Sequence, residues 1–410
     1  MKDTRQGASL AIKGARVILS DDIVEADVLV VDGHIQDIGQ VAAADETLDA
    51  RGKFLAPALV DIHGDAFERQ LMPRPNVFFP IDSAALETDR QLAANGIATA
   101  YHAVTLSWEP GLRSVERGRA LIACLQTLAP RLTIENRVQL RWETFAFDAI
   151  ELIQQALTGP LLPSIAFNDH TSMTMRAYDL PIQKRAFEHS PDFTGADLYD
   201  ERMHARVATK AKRSGLSIDD YIARLGETWA CRDKVEDAIR QIAAAGRAAG
   251  ASMLSHDDTR AETRSYYRDI GVTISEFPMV LAAAQAARDA GDFVIFGSPN
   301  AVRGGSHIGS LGAGDMVEAG LCDALASDYY YPAMLAAVAR LDHEKRADRP
   351  ALWSLVSSGP ARASGLTDRG DIAIGQRADL VLVDWPENQV PAVLMTMSAG
   401  RMAYRAMPSG

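Results

Sequence analysis

Residues 58–65 read ALVDIHGD, an apolar run that breaks abruptly into His63, Gly64 and Asp65. Seven later runs repeat the pattern: IATAYHAVTL (97–106), VQLRWETF (138–145), LLPSIAFNDH (161–170), ASMLSHDD (251–258), GVTISEFP (271–278), FVIFGSPN (293–300) and LCDALASDYYY (321–331). Strands made from near-continuous apolar runs are buried on both faces, as parallel strands are. Helical patterns such as 83–96 and 235–250 separate the runs, giving repeated βαβ units with right-handed crossovers. Eight such units predict an α/β fold, a closed (β/α)8 TIM-like barrel.

Outward from the barrel, the texture changes at both ends. ARVILS (15–20), ADVLVVDG (26–33) and HIQDIG (34–39) are short strands joined by turn-prone Asp-Asp and Asp-Gly pairs. The same texture returns only in 371–385 and 393–405. The two ends are therefore expected to meet in one small composite β-sandwich domain, since chain termini often lie close together. The expected division is 1–56 and 367–410 for that domain and 57–366 for the barrel, with a charged helical insertion at about 183–236 near the mouth.

The chain has 410 residues, 47% hydrophobic and 23% charged, with a net charge of −12. Such an acidic protein repels polyanions, which argues against nucleic acid as a partner. Cys124, Cys231 and Cys322 lack knuckle or redox spacing and suit a reducing cytoplasm. There is no secretory leader pattern and no apolar stretch long enough for a bilayer, so neither membrane nor export is expected.

Polar and ionisable residues close almost every apolar run: His63 and Asp65, Glu143, Asp169 and His170, His256 with Asp257 and Asp258, Glu276, Asn300 and Asp328. Hydrophobic strands that end in polar groups at one rim describe a barrel active site. A single His or Asp at a strand end is more often a satisfied cap than a ligand. Six at successive strand ends would need independent structural reasons. Imidazoles and carboxylates together suit divalent Zn, Mn or Co, and His63 and Asp65, two apart on a strand, share a face and can chelate one ion.

In these residues the chain resembles the amidohydrolase superfamily. LAPALVDIHGD (55–65) matches the phrase that carries that family's first ligands, with Asp65 in place of a second His, and IAIGQRADLVLVD (372–384) matches the return strand of its small β domain. The resemblance implies one or two divalent ions (zinc foremost; Mn, Fe, Co or Mg as alternatives) held by His63, Asp65, Glu143, His170, His256 and Asp328. Asp328 is then the group that takes a proton from an activated water. Asp169, Asp257, Asp258, Glu276 and Asn300 are expected to orient the ligands from behind. HGDAFERQLMPRPNV (63–77), LSHDD (254–258), SEFP (275–278), GSPNAVRGGSHIG (297–309) and SDYYYP (327–332) resemble the phosphonate-degradation branch of ribosyl triphosphate diphosphatases. TSMTMRAYDLPIQ (171–183), after His170, departs from that branch.

On the substrate side, Arg74 lies beyond the first strand. Arg303 is followed by Gly304, Gly305 and Ser306, whose backbone N–H groups are expected to form an anion-binding nest. These five residues favour an anionic, phosphorylated small molecule. The expected activity is hydrolysis of a phosphoanhydride of a ribosyl triphosphate. The alternatives are a C–N or C–O hydrolase (deacetylase, amidase or lactonase) and a non-catalytic barrel, and retention of every candidate ligand places the last behind the others. Substrate identity, native metal and homo-oligomerisation stay open.

Overall fold

In a computed structural model, residues 9–305, 309, 311–387 and 389–406 are described. The N-terminal strands are β1 (Ser9–Ile18), β2 (Ile23–Val31), β3 (His34–Gly39), β4 (Glu46–Asp49) and β5 (Phe54–Pro57). Asp32 and Gly33, both at positive φ (50° and 79°), make the two-residue turn that joins β2 to β3.

Eight parallel strands follow: β6 (Leu59–Gly64), β7 (Ile97–Leu106), β8 (Glu135–Glu143), β9 (Ser164–Asn168), β10 (Met253–His256), β11 (Ile274–Glu276), β12 (Phe293–Gly297) and β13 (Ala324–Ala326). They pair in chain order from β6 to β13. Each coincides with one of the eight apolar runs. The ring is nearly closed where β13 meets β6: Asp328 N–H donates to His63 O (2.9 Å) and Asp65 N–H to Asp328 O (2.9 Å). Below that contact, Asp61 accepts from Ser327 N–H (2.9 Å) and Ser327 Oγ (2.6 Å). Ile62, Ala166, Leu254, Ile274, Ile295 and Ala324 fill the interior as one cluster.

The C-terminal strands β14 (Leu380–Asp384), β15 (Ala392–Ser398) and β16 (Arg401–Arg405) return to the N-terminal ones. β14 pairs antiparallel with β5, from Leu380↔Pro57 to Val383↔Phe54, so both chain ends share one sheet. Its order is β16-β15-β14-β5-β1-β2-β3, with β4 beside β1. Ile12, Val17, Val28, Leu55, Leu380 and Met395 give it a core of its own.

Between β9 and β10 the chain leaves the barrel without adding a strand. The expected helical insertion is helical in its second half only: residues 185–200 are irregular, and helices Glu201–Ser214 and Ile218–Trp229 follow. Both helices bury one face around Met175, Met203, Val207, Tyr221 and Leu225. No helix among the described residues is long and apolar enough to cross a membrane.

Candidate metal centre

His63 ends β6 fully buried. Its Nδ1 donates to Glu276 Oε1 at 3.0 Å, while Nε2 has no partner among the described residues. A carboxylate on one ring nitrogen fixes the tautomer and turns the other lone pair into a ligand. Burial lowers the His63 pKa, but the Glu276 carboxylate outweighs that and the net shift is upward. His256, at the end of β10, is held the same way, with Nδ1 3.0 Å from Asp257 Oδ2. The rings of His63 and His256 lie 5.6 Å apart, and His170 lies 6.1 Å from His256. Phe277 packs edge-on against His63 and His256.

Two groups of donor atoms lie within 4.8 Å of one another: His63 with Asp65 and Asp328, and His63 with His256 and Glu276. Burial, then the neighbouring Asp65 charge, pushes Asp328 up to about 6 from its ordinary 3.8. Two half-buried carboxylates beside the lone pair of a buried imidazole are a donor set that fits a divalent cation. The backbone reinforces this placement. Asp257, Phe277 and Asp328 have φ of 59°, 55° and 54°, each at or just beyond the C-terminal end of a barrel strand. Such strain in non-glycine residues persists where the surroundings over-determine it and clusters at functional sites.

The other expected site residues divide between this centre and the frame around it. Glu143 ends β8 beside His170: its Oε2 accepts from His170 N–H at 3.0 Å and its Oε1 touches His170 Nδ1. It belongs to neither donor group; Glu276, expected behind the ligands, holds His63 Nδ1 and also lies within 4.8 Å of donor atoms of His63 and His256. Burial drives the His170 pKa down to about 4, keeping the ring neutral at pH 7. Asp169 caps the helix His170–Met175 by accepting from Ser172 N–H at 2.8 Å. Asp258 accepts from Ser255 Oγ (2.6 Å) and Ser275 Oγ (2.9 Å), a clamp between β10 and β11 that touches no histidine. Asn300 bonds Leu311 O and Ala313 N, which ties down the loop after β12.

The anion nest needs correction. Gly304 N–H donates to Ala301 O (3.3 Å) and Gly305 N–H to Asn300 O (3.1 Å), so both groups close the helix Ser298–Arg303 instead of facing a ligand. Ser306 lies outside the described residues. Arg303 lines the mouth of a cavity of about 220 Å³ walled by Phe277, Pro278, Phe296 and Tyr329, with His256 and Asp328 in its floor. Arg74 is exposed and lines none of the cavities at the centre. Arg185, after β9, is buried beside Asp169.

Sequence reasoning missed Arg141 and Gln139. Arg141 is buried, with Nη1 3.3 Å from Asp65 Oδ2, Nη2 3.3 Å from His256 Nε2 and Nε donating to Asn168 Oδ1 at 3.0 Å. Gln139 donates to Glu276 Oε1 at 2.9 Å. The signal was present: in QLRWE, Gln139, Arg141 and Glu143 fall at a spacing of two on one face of β8, and Leu140 and Trp142 on the other.

A family profile described as amidohydrolase family matches residues 196–404. The chain belongs to the amidohydrolase family. This amidohydrolase is 29% identical over 387 residues to the alpha-D-ribose 1-methylphosphonate 5-triphosphate diphosphatase of Escherichia coli K12, covering 93% of this chain and 97% of that protein. Among solved structures it resembles an amidohydrolase from a Sargasso Sea environmental sample (TM-score 0.61, 16% identity, 97% of this chain and 93% of that one). It also resembles the dihydropyrimidinase of Brevibacillus agri (TM-score 0.54, 15% identity, 97% and 95%). At those identities the likeness is one of fold. The family is a hydrolase family, and the donor groups described above suit the divalent ions its members hold.

Proposed function

We propose that this amidohydrolase cleaves a phosphoanhydride bond of a ribosyl triphosphate, releasing diphosphate. The observation that carries this reading is the similarity to the E. coli diphosphatase along nearly the whole of both chains. His63, Asp65, His256 and Asp328 would hold the divalent ion, with Glu276 locking His63, Asp257 locking His256, and Glu143 and His170 completing the rim. A bound ion supplies Lewis acidity and lowers the proton affinity of water. Asp328, its carboxyl already raised toward neutrality, takes the proton from the attacking water. The water oxygen bonds to phosphorus as the bridging P–O bond breaks, and the electron pair leaves with diphosphate. The Arg141 guanidinium, fixed by Asp65 and Asn168, stabilises the negative charge that builds on the phosphoryl oxygens.

The test is turnover by purified protein of a ribosyl 5-triphosphate compared with neutral N-acyl compounds and cyclic amides. Diphosphate release that is lost on chelation and regained with one divalent metal is the expected result. Robust cleavage of neutral amides, with none of any ribosyl phosphate, overturns it in favour of C–N hydrolysis.

A further inference from the structure

A second cavity, of about 170 Å³, opens beside the centre on its Glu143 and His170 side. Its walls carry three cations from two parts of the chain: Arg113 from the turn after β7, and Lys210 and Arg213 from the insertion helix Glu201–Ser214. Lys210 and Arg213, three apart, project from one helix face. Arg113 reaches from this cavity to the metal centre, with a guanidinium nitrogen 3.8 Å from Asp65 Oδ2.

The cations are held differently. Arg113 is paired with Glu68 through two bonds of 2.9 Å, and Arg213 with Glu109 at 2.5 Å, where Tyr221 also donates to Glu109 at 2.6 Å. Lys210 Nζ donates to Thr174 Oγ1 (2.6 Å) and His170 O (3.3 Å), and no carboxylate of the described residues lies within ion-pair distance. An ammonium has three N–H groups, so one donor of this cation is left for a ligand. Glu109 and Glu143 line the same cavity and act on this ammonium from beyond ion-pair distance, but Glu109 is engaged by Arg213 and Tyr221 and Glu143 by His170, so a directly bonded anion would complete the pairing of Lys210. The cavity lined by His256 and Asp328 differs: Phe277, Pro278, Phe296 and Pro299 give it an apolar part, its cations are Arg141, already engaged with Asp65 and Asn168, and the exposed Arg303, and no lysine lines it.

We propose that the Lys210 cavity is the subsite for the diphosphate end of the substrate, and that the Phe277 cavity takes the sugar end. This rests on the phosphoanhydride reading above. The scissile phosphorus then lies between the two cavities, beside the His63, Asp65 and Asp328 group: Asp328 lines the Phe277 cavity, and Arg113 of the Lys210 cavity reaches to 3.8 Å from Asp65 Oδ2. The insertion gains a role, since it brings Lys210 and Arg213 to this cavity.

Dissociation constants for inorganic diphosphate and for ribose 5-phosphate, measured calorimetrically on the metal-loaded protein, test the assignment. Lys210→Met keeps the aliphatic stem and should weaken diphosphate about ten- to a hundred-fold, the loss typical of a charge-assisted hydrogen bond, while ribose 5-phosphate binding holds. Lys210→Arg should recover part of the affinity, and an unchanged unfolding midpoint separates binding from folding. KM for the triphosphate should rise more than kcat falls. Diphosphate binding in Lys210→Met equal to wild type, with the loss appearing in Arg303→Ala, overturns the proposal even if the triphosphate is hydrolysed. Lys210-dependent binding of diphosphate by a protein that turns over no ribosyl phosphate upholds the subsite and removes only the assigned reaction.

Discussion

Asp328 is where function and stability oppose each other most directly. Its folded pKa of about 6 lies above the ordinary 3.8, because burial and then the Asp65 charge disfavour the anion. A raised carboxyl means that the folded state holds its proton more tightly than the unfolded chain does. Its contribution is therefore present at low pH and lost as pH rises from about 3.8 to about 6. In metal-free protein that loss weakens the fold at neutral pH. A divalent ion reverses the balance by preferring the ionised form, so uptake should release a proton and strengthen as pH rises through 6. Asp328→Asn should raise the unfolding midpoint of metal-free protein at pH 7 while reducing metal content. Calorimetric unfolding with and without chelator, beside elemental analysis, checks both halves. A variant less stable than wild type without metal would show that Asp328 is not the strained anion described.

The seam between β13 and β6 shows how one element sets the centre. Gly64 separates His63 from Asp65, and a Cβ there would sit 2.5 Å from Asp61 Oδ2 and 2.9 Å from Ser327 Oγ. The spacer in HGD is thus fixed by the clasp that closes the barrel. Gly64→Ala should cost about 1–3 kcal/mol by overpacking and splay His63 from Asp65, lowering metal content. Asp61→Ala should cost about 1–3 kcal/mol by stripping buried Ser327 donors of their acceptor. The clashing carboxylate is gone in the double variant, so the two losses should add to less than their sum in urea unfolding. Strict additivity would separate Gly64 from the clasp. The strands and their polar ends were legible because His63, His256 and Asp328 interrupt continuous apolar runs. Which carboxylate faces which histidine was not, since Glu276 meets His63 only through barrel curvature. Arg303-Gly304-Gly305 misled for a related reason: the same glycines that suit a nest also terminate a helix, and local sequence does not distinguish the two.

Across the whole molecule, one acidic residue joins the barrel to the sheet built from the chain ends. Glu135 opens β8 and pairs with Arg137 at 2.5 Å and Arg369 at 2.9 Å, and also contacts Arg377, which precedes β14. Thr396 Oγ1, on β15, donates to Ala93 O at 2.7 Å and adds a neutral tie across the same boundary. The meeting of the termini was legible from their matching texture, but this junction was not: Glu135 reads as a surface charge in RLTIENR (131–137). Burial alone would raise its pKa, yet Arg369, Arg137 and Arg377 together pull it down to about 2 from 4.5. A depressed carboxyl contributes stability that is present above its unfolded value and lost as pH falls through the folded one. The junction should therefore hold above pH 4.5 and fail progressively toward pH 2. At neutral pH it is worth about 3 kcal/mol, and Glu135→Gln forfeits that and leaves three guanidinium groups facing one another. The expected outcome is a lower unfolding midpoint at pH 7, a gap from wild type that narrows below pH 4, and unchanged metal content, because Glu135 lies at the opposite end of β8 from Glu143. A gap that stays constant between pH 7 and pH 2 would show that the ionised carboxylate is not what holds the two parts together.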